Sequence, residues 1–211
     1  MSAAREVVLA RVRDALGSAP AVPDVPRRYR QGGETVDFDP VARLCERIAD
    51  YAATVHRVAP DTLEDGLAAV CRARGARRLA APAGVGWSVD GVTLVTDKPP
   101  LPARELDALD GVLSGCALAI AETGTIVLDG RGTSGRRALT LVPDLHLCVV
   151  EVNQVVATVP DAIAALHPTA AAGWPITFVS GPSATSDIEL TRVEGVHGPR
   201  TLEVFVVQAA P

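Results

Sequence analysis

Apolar side chains recur at two different spacings along this chain, and the spacings predict where its helices and strands lie. Near the N-terminus, Val8, Val12 and Leu16 have the three-to-four-residue spacing of a helix, and a glycine follows as a natural stop. The next segment is rich in proline, glycine and arginine, which is typical of an exposed linker. We therefore predict a helical arm with a proline-rich linker over residues 1–33 and an α/β domain over residues 34–211.

The helical spacing returns twice in the first part of the predicted domain. Asp39 can cap a helix that has Pro40 at its first position, because proline needs no amide partner there. Asp61 and Glu64 have the spacing of a capping box ahead of a further apolar face, which Gly75 would end.

Short apolar runs rich in β-branched residues predict the strands, and helices alternate with them. The longest run, residues 112–129, has a bend at Glu122-Thr123-Gly124, and residues 160–167 form a short helix. The other predicted strands are residues 54–59, 77–82, 91–97, 145–152, 175–180 and 201–208. This order predicts an α/β fold with a largely parallel sheet.

Composition and charge narrow the class of protein. Of the 211 residues, 48% are apolar, so a packed core is expected. A net charge of -5 without a long basic run argues against nucleic acid as the main partner. No apolar run reaches the length of a membrane span or resembles a signal peptide, so we expect a cytoplasmic protein.

The four cysteines, at positions 45, 71, 116 and 148, are far apart and include no CxxC pair. Structural zinc and iron–sulfur sites usually need closely spaced thiolates. We therefore expect buried apolar cysteines, no metal site and no cofactor bound by this chain.

One candidate site is the loop that follows the strand at residues 175–180. Gly181 permits a close backbone approach, and Ser183 and Thr185 supply hydroxyls that could cap a following helix, to which Asp187 would add. The free amides of that helix would favour a phosphate or a carboxylate. The alternative is an ordinary capped turn. His197, in a glycine-rich turn, could reach the same site or bond its own turn.

Two further segments carry charge in unusual places. Glu122 interrupts an apolar run beside Gly124, so it could be a nucleophile, a base or a ligand contact; the alternative is a hairpin glutamate that faces water. Residues 128–139 combine glycines and hydroxyls with Arg131, Arg136 and Arg137, which could clamp a carboxylate or a phosphate. An exposed loop is the alternative. His56 and His146, in apolar strands, are expected to be structural.

Four segments, residues 119–128, 141–156, 180–190 and 195–207, together resemble the lactate utilization protein C family of LUD-domain proteins. The resemblance implies a three-layer α/β/α, Rossmann-like fold, like that of glucosamine-6-phosphate deaminase, ribose-phosphate isomerase and the CoA transferases. It also implies a role in oxidising L-lactate to pyruvate with two iron–sulfur partner proteins, which would carry the clusters.

The resemblance leaves the site residues open. Glu122-Thr123-Gly124 is similar to the Glu-x-Gly of CoA transferases, in which the glutamate is the nucleophile. This chain has Ala184 where relatives often have a basic residue, which puts in doubt an anion site that relies on a charge there. The alternatives are a stand-alone enzyme of the sugar-phosphate isomerase, CoA-transferase or cyclo-ligase type, or a scaffold domain that binds a small carboxylate or phosphorylated metabolite. The sequence is compatible with either a monomer or an oligomer.

Overall fold

The computed structural model describes residues 3–17, 24–33, 35–185, 193–194 and 197–208. The chain divides into two compact units, Met1–Arg30 and Gln31–Pro211. The first unit contains helix α1 (Ala3–Leu16).

The second unit alternates helices with strands over most of its length. Its helices are α2 (Pro40–Asp50), α3 (Leu63–Arg74), α4 (Ala103–Asp107) and α5 (Val159–Ala171), with 3₁₀ turns at Pro60–Thr62, Arg137–Thr140 and Val152–Gln154. Its strands are β1 (Thr54–Val58), β2 (Arg78–Ala81), β3 (Thr93–Thr96), β4 (Gly111–Ser114), β5 (Leu118–Ile120), β6 (Thr125–Leu128), β7 (Leu145–Glu151), β8 (Val155–Val156), β9 (Thr177–Val179), β10 (Ala184–Thr185), β11 (Val193–Glu194) and β12 (Thr201–Val207).

Six strands form the main sheet, in the order β1-β12-β7-β4-β2-β3. Every pairing in it is parallel. The central strands β7 and β12 are nearly continuous apolar runs, as expected for strands that are covered on both faces. The predicted α/β class and largely parallel sheet are therefore confirmed.

A second sheet has the order β8-β5-β6-β9, which the periodicity did not predict as a separate sheet. Its strands β5 and β6 form an antiparallel hairpin, and the predicted bend at residues 122–124 is the hairpin turn. Helix α5 covers one face of this sheet, where Ile120 and Val127 pack with Ala162 and Leu166.

The two faces of the main sheet pack against different partners. Alternate residues of β7, such as Leu147, join a core cluster that contains Leu67 of α3. The residues between them, such as Cys148, join a cluster that contains Ile48 of α2 and Ile126 of the second sheet. This alternation follows from the two-residue period of a strand.

The helix starts confirm one prediction and correct another. The Asp39 carboxylate accepts hydrogen bonds from the amides of Val41 (2.8 Å) and Ala42 (3.0 Å), so Asp39 caps α2 as predicted. The predicted capping box at α3 is wrong, because the 3₁₀ turn moves the helix start and Glu64 instead accepts a bond from the Ser88 amide at 2.7 Å.

The segment after the Gly-Pro-Ser loop also differs from the prediction. We expected a helix, but Ala184 and Thr185 form strand β10, which pairs antiparallel with β11. A strand pairs its amides with a neighbouring strand, so these two residues provide no helix N-terminus for an anion.

Candidate functional site

A cavity of about 250 Å³ lies where the end of β9 meets the beginnings of β7 and β12. It is lined by Arg137, Thr140, His146, Thr177, Phe178, Val179, Ser180, Gly181, Pro182, Ser183, His197, Gly198, Pro199 and Leu202. We expected a site where a strand of the parallel sheet ends and its loop leads into a helix. The loop after β9 does line this cavity, but β9 pairs antiparallel with β6 in the second sheet. Strands β7 and β12 instead contribute their amino ends.

Gly181 holds the cavity wall close to helix α2. Its φ is +100°, and a Cβ atom there would lie 2.7 Å from the carbonyl oxygen of Tyr51. Any larger residue would therefore meet both backbone strain and a clash.

Ser183 joins the two predicted loops at the cavity. Its hydroxyl accepts a hydrogen bond from the His197 amide at 3.0 Å, and its own amide donates to the carbonyl of Pro199 at 2.8 Å. The structure thus brings Gly181, Ser183 and His197 together at one cavity. The backbone of Thr185 lies in β10, and Asp187 lies outside the described residues.

Arg137 supplies a positive charge to the cavity wall. Its guanidinium donates to the Thr140 carbonyl at 2.8 Å, the Thr140 hydroxyl at 3.1 Å and the His197 carbonyl at 3.3 Å. Burial lowers the pKa of Arg137, and within the described part of the chain no carboxylate pairs with it. An arginine stays protonated under ordinary conditions, so an incoming anion would meet a charge with no acidic partner described.

Arg136, which we predicted as an anion ligand, binds elsewhere. It forms a two-point ion pair with Asp97, with nitrogen–oxygen distances of 2.7 and 2.9 Å, and also donates to the Leu101 carbonyl. Burial acts to raise the pKa of Asp97, but the bonds from Arg136 and the Leu101 amide outweigh it and lower this pKa. The pair ties the arginine-rich loop to the segment after β3.

Arg131 and Gly124 also lie outside the cavity lining. The Arg131 guanidinium lies 3.8 Å from the Asp129 carboxylate and 5.7 Å from the centre of the Trp174 ring. Gly124 has a φ of +65°, and a Cβ atom there would lie 2.6 Å from the backbone of Arg47 in α2. Its role in the structure is close packing of the hairpin turn on that helix.

Glu122 contacts the beginning of helix α5. Its carboxylate accepts a hydrogen bond from the Val159 amide at 2.6 Å, where the helix dipole favours a negative charge. From the same turn, hydroxyl contacts run from Thr123 to Thr125 (2.7 Å) and on to Ser180 (2.8 Å), which lines the cavity. Glu122 itself is not among the lining residues.

The sequence interpretation named Arg137 only as one of three arginines that could clamp an anion, and it expected His146 to be structural. His146 is only 2% exposed, as expected of a structural histidine, yet it lines the cavity and its Nε2 lies 2.7 Å from the Ser114 hydroxyl. The sequence feature that could have indicated a site role for His146 is its position as a polar residue in an otherwise apolar strand, β7. Nothing in the sequence pattern separates Arg137 from its neighbour.

Neither a metal-binding group nor a membrane-spanning helix is found among the described residues. In that part of the chain, no group of three histidine, cysteine, aspartate or glutamate side chains is placed to hold a metal ion. No described helix is both long enough and apolar enough to cross a membrane.

The fold and cavity define an α/β protein with a small polar cavity beside its parallel sheet. The family model for the LUD domain matches residues 103–207, which include every residue that lines the cavity. A "Lactate utilization protein C" from Deinococcus radiodurans is 51% identical over 165 residues, which cover 77% of this chain and 76% of that protein. The chain belongs to the lactate utilization protein C family of LUD-domain proteins, which confirms the resemblance.

Other relatives agree with this assignment. A "Lactate utilization protein C" from Geobacillus kaustophilus is 33% identical over 128 residues, which cover 57% of this chain and 53% of that protein. The crystal structure of a DUF162 family protein from Deinococcus radiodurans is 42% identical, with a TM-score of 0.70. The match covers 80% of this chain and 96% of that one.

Proposed function

We propose that this chain is a subunit of an L-lactate utilization system that oxidises L-lactate to pyruvate together with two iron–sulfur proteins. The observation that carries the proposal is the 51% identity, over 77% of the chain, to a protein named for lactate utilization. The two iron–sulfur partners follow from the family resemblance seen in the sequence.

Within this system, we assign the cavity to the carboxylate of a small hydroxy acid. Its volume of about 250 Å³ is below the usual range of about 300–1,000 Å³ for drug-sized ligands, so it suits a small molecule. The guanidinium of Arg137 would pair with the carboxylate. The Ser183 and Thr140 hydroxyls and the His197 imidazole are near enough to line the same space and bond a hydroxyl group.

The contacts of Glu122 favour this assignment over a stand-alone enzyme. One oxygen of the Glu122 carboxylate accepts a bond from the Val159 amide, and Glu122 does not line the cavity, so a nucleophilic Glu122 would have to reach a substrate elsewhere. Arg137 and His197 already lie together on one cavity wall.

The subunit role is tested by affinity purification of the tagged, full-length chain from cells that grow on L-lactate. We expect two iron–sulfur proteins to co-purify, with iron and acid-labile sulfide in the eluate, and neither to appear with the tag alone. Recovery of this chain by itself from cells that actively oxidise L-lactate would contradict the proposal.

A further inference from the structure

His146 forms a buried part of the cavity wall, between the two sheets. It is 2% exposed, and it pairs in register with Leu202 of β12, a second lining residue that is 3% exposed. Both side chains lie on the face of the main sheet that packs towards the second sheet, since Cys148 and Val204, two residues further along each strand, join the core cluster that contains Ile126. The imidazole therefore lies at the inner end of the cavity.

The hydrogen bonds around His146 determine which ring nitrogen carries the proton. Its Nε2 lies 2.7 Å from the Ser114 hydroxyl oxygen. That hydroxyl donates its only proton to the Gly115 carbonyl at 3.0 Å, and the Cys148 thiol donates to the same carbonyl at 3.8 Å. A carbonyl oxygen has two lone pairs and can accept both bonds. The Ser114 oxygen then accepts from His146, so the single N–H of the neutral imidazole is on Nε2.

The other ring nitrogen, Nδ1, keeps a lone pair that the protein does not use. Among the residues that the structure describes, none forms a hydrogen bond to Nδ1 of His146. A buried acceptor without a partner is unfavourable, so a donor from a molecule in the adjoining cavity would stabilise it. In this tautomer Nδ1 can accept a hydrogen bond but cannot donate one.

The hydroxyl groups that line the cavity do not share this restriction. The Ser183 hydroxyl accepts from the His197 amide, and the Thr140 hydroxyl accepts from the Arg137 guanidinium. Each hydroxyl also has a proton to donate, so it can bond either a hydroxyl group or a carbonyl oxygen of a ligand. An acceptor such as Nδ1 of His146 bonds the hydroxyl group but repels the carbonyl oxygen.

We propose that Nδ1 of His146 accepts a hydrogen bond from the hydroxyl group of a bound 2-hydroxy acid, and that the cavity thereby selects 2-hydroxy acids over the corresponding 2-oxo acids. The inference rests on the proposed function, which places the carboxylate of the hydroxy acid on Arg137. A 2-oxo acid has only lone pairs at the same oxygen, so it would leave Nδ1 unpaired and place two acceptors together. Ser114 is a positioning residue, which holds the imidazole in the accepting tautomer. The site would thus bind L-lactate and release pyruvate.

The tautomer of His146 is measured by nitrogen NMR on the full-length protein with ¹⁵N-labelled histidine. The spectra are recorded at about pH 8, where an ordinary histidine is neutral. The signals of His146 are assigned by their loss in His146→Gln. We expect the chemical shift of an unprotonated nitrogen for Nδ1 and that of a protonated nitrogen for Nε2. The reverse pattern overturns the proposal, and this measurement needs no ligand.

The selectivity is measured by isothermal titration calorimetry with L-lactate and with pyruvate at the same pH. We expect the wild-type Kd for pyruvate to exceed that for L-lactate at least about tenfold, because a buried acceptor is left unpaired. In His146→Gln the ratio should fall to within about twofold, since an amide can both donate and accept. Ser114→Ala should lower the ratio as well, because the ring can then place its proton on Nδ1. His167→Gln, an exposed histidine of α5, should keep the wild-type ratio.

The outcomes separate this inference from the proposed function. Equal affinity of the wild-type protein for the two acids overturns the selectivity but leaves the lactate site in place. Undiminished selectivity in His146→Gln or Ser114→Ala, shown to be folded by circular dichroism, overturns the role of that residue. If the wild-type protein binds neither acid, the proposed carboxylate site is itself wrong, and the inference that rests on it is overturned too.

Discussion

Arg136 and Arg137 are adjacent in the chain but bind different parts of the protein. Arg136 holds Asp97 through two hydrogen bonds, whereas Arg137 binds Thr140 and the His197 carbonyl at the cavity. The first arginine therefore stabilises the fold and the second belongs to the proposed carboxylate site. Loss of the Arg136 ion pair should lower the stability of the fold, whereas loss of Arg137 should lower the affinity for the ligand.

Replacing Arg137 should weaken ligand binding. We expect Arg137→Gln to raise the Kd for L-lactate at least about tenfold, since a charge-assisted hydrogen bond contributes about 1.5–3 kcal/mol. Isothermal titration calorimetry measures the Kd, and Arg131→Gln, an arginine of the same loop outside the cavity, is the matched control. If wild type and folded Arg137→Gln have the same Kd for L-lactate, Arg137 does not bind the ligand.

Replacing Asp97 should lower stability without changing binding. We expect Asp97→Asn to reduce the free energy of unfolding by about 1–3 kcal/mol at pH 7, because it leaves Arg136 without its charged partner. Urea unfolding at several pH values checks this.

The pH dependence of this effect has a definite sign. The pKa of Asp97 is lower in the folded protein, so its stabilisation is complete above the ordinary carboxyl pKa, near 4, and is lost as pH falls through the lower folded value. The difference between wild type and Asp97→Asn should thus shrink on acidification. A difference that stays constant down to pH 2 would show that the charge of Asp97 is not the cause.

Gly181 should tolerate no side chain. We expect Gly181→Ala to lower the free energy of unfolding by about 1–3 kcal/mol or more, because the Cβ atom adds a clash with the Tyr51 carbonyl to the backbone strain. Gly91→Ala is the control, since Gly91 has a φ of +74° with no atom within 4 Å of a Cβ. If the free energy of unfolding falls equally in both variants, the clash with the Tyr51 carbonyl does not contribute to the destabilisation.

Glu122 distinguishes the subunit from a stand-alone enzyme. We expect Glu122→Gln to cost only about 0.3–1 kcal/mol of stability, from the lost charge at the α5 N-terminus, and to leave the Kd for L-lactate unchanged. Thermal unfolding and calorimetry measure the two quantities. An abolished catalytic activity at nearly unchanged stability would support the nucleophile interpretation instead.

The elements of the main sheet could be predicted because their signals are local. Continuous apolar runs gave β7 and β12, and Asp39 with Pro40 gave the start of α2. The second sheet could not be derived in this way, because it depends on the pairing of β5 and β6 with the distant β8 and β9. Residues 118–128 have the same apolar composition whether they join the main sheet or a separate one.

The candidate site was predictable only in part, for a similar reason. Gly181, Ser183 and His197 have turn-forming or polar character that is visible in the sequence. The choice of Arg136 over Arg137 was not decidable, since the partner Asp97 lies in another loop. His146 looked structural because a buried strand position hides its contact with the cavity.

Deletion of the gene for this chain, in the organism that encodes it, tests the central claim most directly. The measurement is growth on L-lactate as sole carbon source, with pyruvate as the matched control. We predict that the deletion strain grows on pyruvate but not on L-lactate, and that the wild-type chain restores growth while Arg137→Gln restores it poorly. Normal growth of the deletion strain on L-lactate would contradict the proposed function.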